Sequence, residues 1–522
     1  MSLSHMLSIA ELSEANLLAA LTNEHYIRRT PDEKIGRLLA YVEGFGTPAT
    51  LLTEDNYTDR DFISDYTHYY ATCGKSYSKN CRRLHFFALP KDRIRAAFDS
   101  LLTQGVTASQ EALKLLNSSY VGFLVVKPLP VTVLGRTVFK APSNANPEET
   151  LGCLRNHKVG LWGIPLSVTG LAWQEQDTVI SACATSAIWS ALHKTAHEFG
   201  YYIPTPYEIT TKATTLGHEG RPIPSEGLNV AEMSHAIRSI GLDVEMLDTI
   251  KYAPRRRPTA MLPLLSYCYS YLRGGIPVVL VVKINDTLHA VTLCGYELGN
   301  SQPDHNELEF VPAEEDAMVG EIPWFRSKGA RIVAFYAHDD QLQPYARFEV
   351  KQALGGLVTF GTQWARPVVP EAVVVPLYHK IRISILPLLR HVRELNEWLA
   401  AADLFAGSDE PVEFEMFHAT NQSYKADLAK EQVVLARADV LLKQLPRFLW
   451  RVQCQQGSRV IFELVGDATD MQHSFQFVDF NFRSIEFAEA TKRAFVSAKL
   501  DITKLIKPMG RLLLAALQRS GA

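Results

Sequence analysis

The segment 274–296, GGIPVVLVVKINDTLHAVTLCGY, constrains the fold more than any other part of the chain. Two runs of β-branched and aliphatic residues flank Asn285 and Asp286, a pattern typical of two strands joined by a tight turn. We therefore expect an antiparallel pair of strands, with His289 at the beginning of the second. A histidine fixed on a strand can accept a proton from a nucleophile and return it to a leaving group.

A cysteine at the start of a predicted helix is the second informative feature. In QEQDTVISACATSAIWSAL, Cys183 opens a stretch of small residues that predicts a helix over 183–199. The positive end of a helix dipole and its free N–H groups activate a cysteine as a nucleophile. The Cys183 N–H and an upstream glutamine amide, from Gln176 or Gln174, can together stabilise an oxyanion on an attacked carbonyl.

Two adjacent carboxylates end a third predicted strand. The segment RIVAFYAHDDQLQPYARF begins as a strand at Arg331 and ends in His338, Asp339 and Asp340. A carboxylate beside His289 would hold the correct imidazole tautomer and stabilise the imidazolium. We expect Asp339 to take this role, with Asp340 as the alternative.

Each of these residues taken singly also has a purely structural explanation. A cysteine in a small-residue helix is often a buried hydrophobic residue, and two aspartates after a strand often form a turn. The joint order of cysteine, then histidine on a strand, then aspartate at the end of a following strand predicts a catalytic triad.

Residues 160–350 resemble the papain-like cysteine peptidases, specifically the domains that process bacteriocin leaders in ABC exporters and their free-standing relatives. Three blocks carry the resemblance: the glutamine and cysteine that open a helix, GLNVAEMSHAIRSIGLDVEML, and GGIPVVLVV…HAVTLCGY around the histidine. The aspartate of the family corresponds best to Asp339. The resemblance implies a peptidase that acts through a thioester acyl-enzyme.

The chain departs from this family at two places. The family glutamine lies six residues before the cysteine, whereas Gln176 lies seven and Gln174 nine before Cys183, so both glutamines stay candidates. The interval between the histidine and the aspartate is longer than in the family. It holds an acidic segment at 307–316, followed by Pro323 and Trp324, which predicts a lid or a substrate wall.

The chain is too long for a single hydrophobic core. It has 522 residues, and cores stop growing near about 250 to 300 residues. We expect an α+β protein of three parts: an N-terminal α+β accessory domain at 1–150, a papain-like domain at 151–350 and a C-terminal α+β domain at 351–522. In the papain-like domain, the nucleophile helix would pack on an antiparallel sheet.

Hydrophobic periodicity predicts further elements along the chain. Predicted helices cover residues 9–21, 229–240, 388–401, 425–445 and 484–517. Predicted strands cover residues 120–126, 131–139, 276–337, 357–360 and 372–385, with a further sheet within 446–482.

Composition narrows the class of protein and its surroundings. The net charge of −3 provides no global positive field, so no nucleic-acid partner is predicted. Seven cysteines without a repeating spacing favour a reducing cytoplasm over a secreted disulfide framework. Neither a signal peptide pattern nor an apolar run of about 18 residues occurs, so we expect no export and no membrane span. Nothing in the sequence resembles an ATP-binding cassette, so we do not expect an exporter's own peptidase.

Two groups of histidines and cysteines lie close enough in sequence to be candidate metal ligands. His193 and His197 stand one helical turn apart, and Cys73, Cys81 and His85 lie close in sequence. Neither group has the spacing and number of ligands of a common zinc site, so we expect no metal and no cofactor.

These observations predict a cysteine-nucleophile hydrolase, a peptidase with a protein or peptide substrate. A related acyl transfer is the first alternative, as transglutamination, deamidation or cleavage of a ubiquitin-like tag uses the same three groups. Water as the acceptor gives hydrolysis, and an amine gives transfer. A catalytically inactive interaction scaffold is the second alternative, favoured if the flanking domains or residues 298–330 cover Cys183.

Overall fold

The computed structural model of the protein describes most of the chain. The described residues are 7–22, 32–142, 149–177, 179–180, 182–215, 223, 225, 227–248, 262–300, 325–352, 358–364, 366–402, 404–405, 412–431, 435, 437–472, 475–497 and 507–520. The predicted lid, with its acidic segment at 307–316 and Pro323 and Trp324, lies outside them.

The protein is α+β. Its strands are β1 (Ser8–Glu11), β2 (Thr50–Tyr57), β3 (Cys81–Phe87), β4 (Tyr120–Val126), β5 (Leu134–Phe139), β6 (Glu149–Thr150), β7 (Arg155–Leu161), β8 (Ile164–Gly170), β9 (Ala172–Trp173), β10 (Asp243–Asp248), β11 (Val278–Ile284), β12 (Thr287–Leu298), β13 (Ile332–Asp339), β14 (Gln343–Gln352), β15 (Val358–Gly361), β16 (Val368–Leu377), β17 (Val412–Thr420), β18 (Phe448–Gln456), β19 (Arg459–Asp467) and β20 (Phe477–Phe482). Its helices are α1 (Glu14–Leu21), α2 (Asp32–Glu43), α3 (Arg60–His68), α4 (Lys91–Gln104), α5 (Gln110–Ser119), α6 (Cys183–Glu198), α7 (Pro206–Ala213), α8 (Val230–Ser239), α9 (Leu262–Arg273), α10 (Ile385–Ala401), α11 (Asn421–Lys430), α12 (Arg437–Leu442), α13 (Ile485–Val496) and α14 (Lys507–Arg519).

The N-terminal part of the chain forms a six-stranded antiparallel sheet. The strand order is β1-β2-β3-β4-β5-β9, and β7 and β8 form a separate hairpin. The last strand, β9, lies after residue 150, so this sheet draws on both sides of the predicted domain boundary. The boundary itself stays a prediction. Because β9 leads directly into the segment before Cys183, the N-terminal sheet is tied to the candidate site.

An eight-stranded antiparallel sheet carries the histidine and the aspartates. Its main order is β10-β16-β11-β12-β13-β14-β15, with β6 paired to β12. Phe360 of β15 also pairs with Val368 of β16. This pairing closes six strands into a ring, in the order β16-β11-β12-β13-β14-β15. Two of these strands lie beyond residue 350, the predicted end of the central domain, and that boundary also stays a prediction.

The hairpin of β11 and β12 follows the pattern that its sequence indicates. Ile284 pairs with Thr287 across the two-residue turn, and Asn285 adopts a φ of 58°, in the left-handed region that asparagine tolerates. Both faces of β11 are buried: Val279 and Val281 belong to the apolar core that includes α6, and the alternate residues belong to the core on the other face. Burial on both faces explains the continuous apolar run.

The C-terminal part of the chain forms a four-stranded antiparallel sheet. Its order is β17-β18-β19-β20, and α14 packs against β20. Charged side chains are buried on this sheet, where Glu463 pairs with Arg451 at 2.6 Å and Glu415 pairs with Arg273 at 2.8 Å. Buried charges are retained in proteins when they are paired in this way.

Two helix starts differ from the predicted boundaries, and each difference has a capping residue as its cause. Residues 9–21 divide into β1 and α1 because Ser13 caps α1, its side chain accepting a hydrogen bond from Asn16 N. Ser384 caps α10 in the same way through Leu386 N, so β16 ends before it, at Leu377. No helix among the described residues is long and apolar enough to cross a bilayer.

Candidate active site

Cys183 is the first residue of α6. The N-cap residue is Ala182, with φ −84° and ψ 177°, and no side chain caps the helix. Alanine is a poor N-cap, so the first N–H groups of α6 lack the side-chain acceptor that serine or aspartate would supply. Cys183 is partly exposed, as is Cys73, whereas the other five cysteines are buried. The helix start therefore offers a thiol beside N–H groups that no N-cap side chain occupies.

A hydrogen bond between Thr292 and Ala187 sets the register of α6 against β12. The buried Thr292 hydroxyl donates to the Ala187 carbonyl at 2.7 Å. Ala187 lies about one helical turn after Cys183, and Thr292 lies three residues after His289, so this bond holds the two elements together near the site.

His289 joins the thiol and a carboxylate. Its Nε2 lies 3.1 Å from Asp339 Oδ1, and the Cys183 side chain is close enough to raise the pKa of the imidazole. Because Nε2 is directed at Asp339, Nδ1 is the ring nitrogen left to exchange a proton with the thiol. The amide Nε2 of Gln341 lies 3.5 Å from the same Nδ1. The three residues predicted from the sequence are thus brought together.

Asp339 is held by a set of N–H donors. Its Oδ1 accepts from the backbone N–H of Gln341 at 2.9 Å and of Leu342 at 3.2 Å. Its Oδ2 accepts from Trp364 Nε1 at 3.0 Å, and its backbone carbonyl accepts from Trp173 Nε1 at 2.9 Å. These donors leave the Asp339 carboxylate little freedom to turn away from the imidazole.

The charges of the pair reinforce one another. Burial by itself lowers the pKa of His289, but hydrogen bonds to Asp339 and Cys183 and the charges of Asp339 and Asp340 raise the pKa of His289 to about 11. Burial by itself raises the pKa of Asp339, but His289 and the N–H donors bring the pKa of Asp339 below its ordinary value. At neutral pH the pair is therefore an imidazolium and a carboxylate.

Asp340 is also close to the imidazole, in a different environment. Its Oδ1 lies 3.6 Å from His289 Nε2, and neither of its buried carboxylate oxygens has a hydrogen-bond partner in the described part of the chain. Burial raises the pKa of Asp340 to about 7, although the positive charges of His289 and Lys34 oppose this shift. The geometry distinguishes the two aspartates: Asp339 is oriented by donors, and Asp340 is not.

Both candidate glutamines lie in the segment that connects β9 to α6. Gln174 is buried, and its amide Nε2 has no hydrogen-bond partner among the described residues. Gln176 is partly exposed. Between them, Glu175 forms a buried ion pair with Lys34 of α2 at 2.5 Å, which anchors the segment to the N-terminal part of the protein.

The rest of the connecting segment is fixed by Asp177. Its carboxylate accepts hydrogen bonds from the Tyr70 hydroxyl, at 2.8 and 3.0 Å to its two oxygens. It also accepts from the backbone N–H of Val179 at 2.8 Å and of Ile180 at 3.3 Å. A residue of the N-terminal part of the chain thus shapes the approach to Cys183.

The site residues could also hold a metal ion. The ligand atoms of His289, Asp339 and Asp340 all lie within 4.8 Å of one another, and in the part of the chain that the structure describes they form the one group of three or more with this spacing. The oxygens of Asp339, however, already accept hydrogen bonds from N–H groups. Such donors orient the carboxylate, as the proposed triad requires, and a metal-binding carboxylate is oriented in the same way.

The other two groups of potential ligands do not converge. His193 is buried beside Trp189, with ring centroids 4.2 Å apart, whereas His197 is exposed. His85 is buried and is bound to the Tyr120 hydroxyl at 2.8 Å, whereas Cys81, also buried, lies four residues earlier on β3, about 13 Å along the strand. These side chains serve packing and local hydrogen bonding.

Sequence reasoning missed three residues that position the site: Thr292, Trp173 and Trp364. Trp173 immediately precedes the first candidate glutamine, but nothing in the order of residues links it to Asp339. Trp364 lies between β15 and β16, and only the pairing of strands brings this segment to the histidine. Its ring centroid is 6.1 Å from that of His289.

Comparison with known proteins provides no further guide to this site. No protein-family model, curated protein or solved structure matches the chain.

Proposed function

We propose that this protein is a cysteine-nucleophile hydrolase whose central domain is papain-like and whose substrate is a protein or peptide. The observation that carries the proposal is the position of His289, which lies 3.1 Å from Asp339 and close enough to Cys183 for that side chain to raise the pKa of the imidazole. A nucleophile, a base and an orienting carboxylate in contact form the minimal set for acyl transfer.

The reaction would proceed in two steps. The Cys183 sulfur attacks the substrate carbonyl, and the C–N bond breaks as His289 gives the leaving amine a proton, which leaves a thioester. Water then attacks the thioester, His289 accepts a proton from that water, and the carboxylic acid departs as the thiol is regenerated. Asp339 keeps the imidazole oriented throughout.

The oxyanion formed in each step needs two donors. The Cys183 N–H at the uncapped start of α6 is the first. Gln176 and Gln174 are candidates for the second, and the buried, unpartnered amide of Gln174 supports that residue. Comparing Gln174→Ala with Gln176→Ala assigns the role, since loss of one oxyanion donor lowers kcat by about a hundredfold to a thousandfold.

The two alternatives differ in what reaches the thiol. The partial exposure of Cys183 favours an enzyme over a scaffold, because a covered thiol could not meet a substrate. Hydrolysis and transfer to an amine share the same acyl-enzyme, so the acceptor distinguishes them. Once a substrate is found, addition of a primary amine separates them: a hydrolase gives mainly acid, and a transferase gives mainly amide.

The pH dependence of alkylation by iodoacetamide, resolved by peptide mass spectrometry, tests the proposal without a known substrate. Cys73 is the internal reference because it is the other partly exposed cysteine. We expect Cys183 to react faster than Cys73 at pH 6, and His289→Ala to abolish that advantage. The matched control is His68→Ala, which removes a histidine in α3 that stacks on Tyr207 of α7.

Equal reactivity of Cys183 and Cys73 at pH 6, unchanged in His289→Ala, would contradict the enzyme proposal and favour the interaction scaffold. A reactive Cys183 that does not depend on His289 would contradict the assigned base.

A further inference from the structure

A second concave site lies at the far end of the nucleophile helix. A cavity of about 330 Å³ opens where the end of α6, the glycines after α9 and the start of α11 meet β17. Lys194, which lines it, stands eleven residues after Cys183 on α6, about 16 Å along the helix axis. A molecule in this cavity would therefore not occupy the candidate active site.

Two arginines provide unused donors in the cavity. Arg273 and Arg451 both stack on Phe417, with their guanidinium carbons 4.4 and 4.9 Å from the ring centroid. Within the described part of the chain, Arg273 is bound through Nε to Glu415, which leaves its two terminal nitrogens for a ligand. Arg451 is bound there through Nε and Nη1, which leaves Nη2. Guanidinium nitrogens arranged around an aromatic ring suit a planar oxyanion.

A buried histidine lining the cavity lacks a partner. His418 is 3% exposed, and its Nε2 makes no hydrogen bond with any described residue. Burial lowers the pKa of His418 to about 4, so the ring is neutral. Its Nε2 is inaccessible from the cavity, so the ring contributes to the wall by packing beside Phe448 and Trp450 and not by a hydrogen bond to a ligand.

The start of α11 adds to the same environment. This helix of ten residues begins beside the cavity, where Thr420 and Ser423 form its capping box. Its positive end favours a negative group nearby. The N–H groups of Asn421 and Ser423 are already bound, to the Arg447 carbonyl and the Thr420 hydroxyl, so the helix contributes its dipole and the two arginines supply the contacts for an anion.

The charges lining the cavity indicate a single negative charge on the ligand. Three cations line it, Lys194, Arg273 and Arg451, against two carboxylates, Glu198 and Asp427. These cations are already paired, Lys194 with Glu198 at 3.0 Å and Arg451 with Asp427 at 2.7 Å, so the cavity suits a monoanion better than a doubly charged phosphate ester. The carboxylates behind the arginines are shared with other cations, since Glu415 also pairs with Lys328 at 3.2 Å.

Apolar side chains form the remaining wall. Phe199, Ile276, Phe417 and Ala419 line the cavity beside the charged groups. Such a wall excludes water from the body of a ligand and favours an aromatic or aliphatic group. The cavity lies within the size range of small-molecule sites, at its lower end.

We propose that this cavity binds a small organic carboxylate with an aromatic or aliphatic body. The carboxylate contacts Arg273 and Arg451, and the body packs against the apolar wall that includes Phe199 and Ile276. This site stands independently of the proposed hydrolase function, because none of its lining residues belongs to the Cys183 site.

Isothermal titration calorimetry of the full chain with benzoate, phenyl phosphate and benzyl alcohol at equal ionic strength tests the proposal. We expect benzoate to bind more tightly than either other probe. Arg273→Gln should weaken benzoate binding at least about tenfold, because it removes a charge-assisted contact. Ala419→Leu should weaken it as much by filling the cavity, and Arg347→Gln, at a surface ion pair with Glu297, should leave it unchanged.

Several outcomes would overturn the proposal. Benzoate binding no tighter than benzyl alcohol would show that no anion site exists. Tighter binding of phenyl phosphate would replace the carboxylate assignment with a phosphate one. Unchanged affinity in a folded Arg273→Gln protein would place the ligand elsewhere, whether or not Ala419→Leu folds.

Discussion

The hydroxyl of Thr292 donates a hydrogen bond to the carbonyl of Ala187 at 2.7 Å and thereby fastens the helix that begins at Cys183 to the strand that begins near His289. Neither residue takes part in the proposed chemistry. The bond nevertheless joins α6 and β12, whose N-terminal ends carry the thiol and the imidazole, so it helps to hold these two groups close together.

Replacement of Thr292 by valine should weaken both stability and reactivity. Thr292→Val keeps the shape of the side chain and removes the donor, so we expect the free energy of unfolding in urea to fall by about 1 kcal/mol. Alkylation of Cys183 at pH 6 should also slow, as α6 is released from β12. Thr292→Ser, which retains the hydroxyl, should react like the wild type. A Thr292→Val protein with wild-type alkylation would show that other contacts position α6.

Replacement of Trp364 by phenylalanine should raise the pKa of Asp339. The indole N–H is one of the donors that keep the pKa of Asp339 low, and Trp364→Phe removes it while retaining an aromatic ring. A carboxyl with a lowered pKa contributes stability above its unfolded pKa and loses it as the pH falls through its folded pKa.

The variant should therefore be less stable than the wild type at pH 7, by roughly 1 kcal/mol. This difference should shrink as the pH falls below the unfolded pKa of an aspartate, about 3.9, because the wild type then loses the larger contribution. Urea unfolding at a series of pH values measures this difference. Trp162→Phe, at the exposed tip of the β7–β8 hairpin, is the control and should leave the curve unchanged. Identical curves for Trp364→Phe and the wild type would argue against a role for the indole N–H.

Replacement of Asp340 by asparagine should stabilise the protein at alkaline pH. The pKa of Asp340 is raised from 3.8 to about 7. Between these values the folded state binds the proton more tightly than the unfolded state, so stability falls as the pH rises through this window. Asp340→Asn cannot ionise and should be more stable than the wild type at pH 8, on the order of 2 kcal/mol, and similar to it at pH 4.

Asp339→Asn is the matched comparison, since the carboxylate of Asp339 is paired with His289 and accepts hydrogen bonds from N–H groups. It should destabilise the protein at pH 7, the opposite direction to Asp340→Asn. Urea unfolding at pH 4, 6 and 8 measures both variants. If Asp340→Asn destabilised the protein at pH 8, Asp340 would be acting as a paired carboxylate.

Replacement of Ala182 by serine should stabilise α6 and reduce the reactivity of Cys183. A serine at the N-cap accepts from an N–H group of the first turn, which adds about 1 kcal/mol to the free energy of unfolding. The same acceptor occupies N–H groups that activate the thiol, so alkylation at pH 6 should slow. Ser13→Ala, which removes the existing cap of α1, should lose a similar free energy without changing alkylation. Faster alkylation in Ala182→Ser would contradict this account of the helix start.

The elements that carry the candidate site could be predicted from local sequence. Alternation of residue types and the Asn285–Asp286 pair indicate β11 and β12, and the small residues after Cys183 indicate α6. These signals are local, because backbone propensity and hydrophobic period act over a few residues. Where prediction of an element failed, as at residues 9–21, a single capping side chain decided the boundary.

The arrangement of the site was decided by the tertiary structure. Asp339 and Asp340 are chemically identical, but Asp339 ends β13 and Asp340 lies in the turn that follows, so only Asp339 meets both the imidazole and the Trp364 N–H. The contributions of Thr292, Trp173 and Trp364 depend on strand pairing between distant segments. The sequence by itself determined which chemical groups the chain carries and the elements on which they lie. The tertiary structure decided their partners, because hydrogen bonds between distant segments form only when the strands pair in one register.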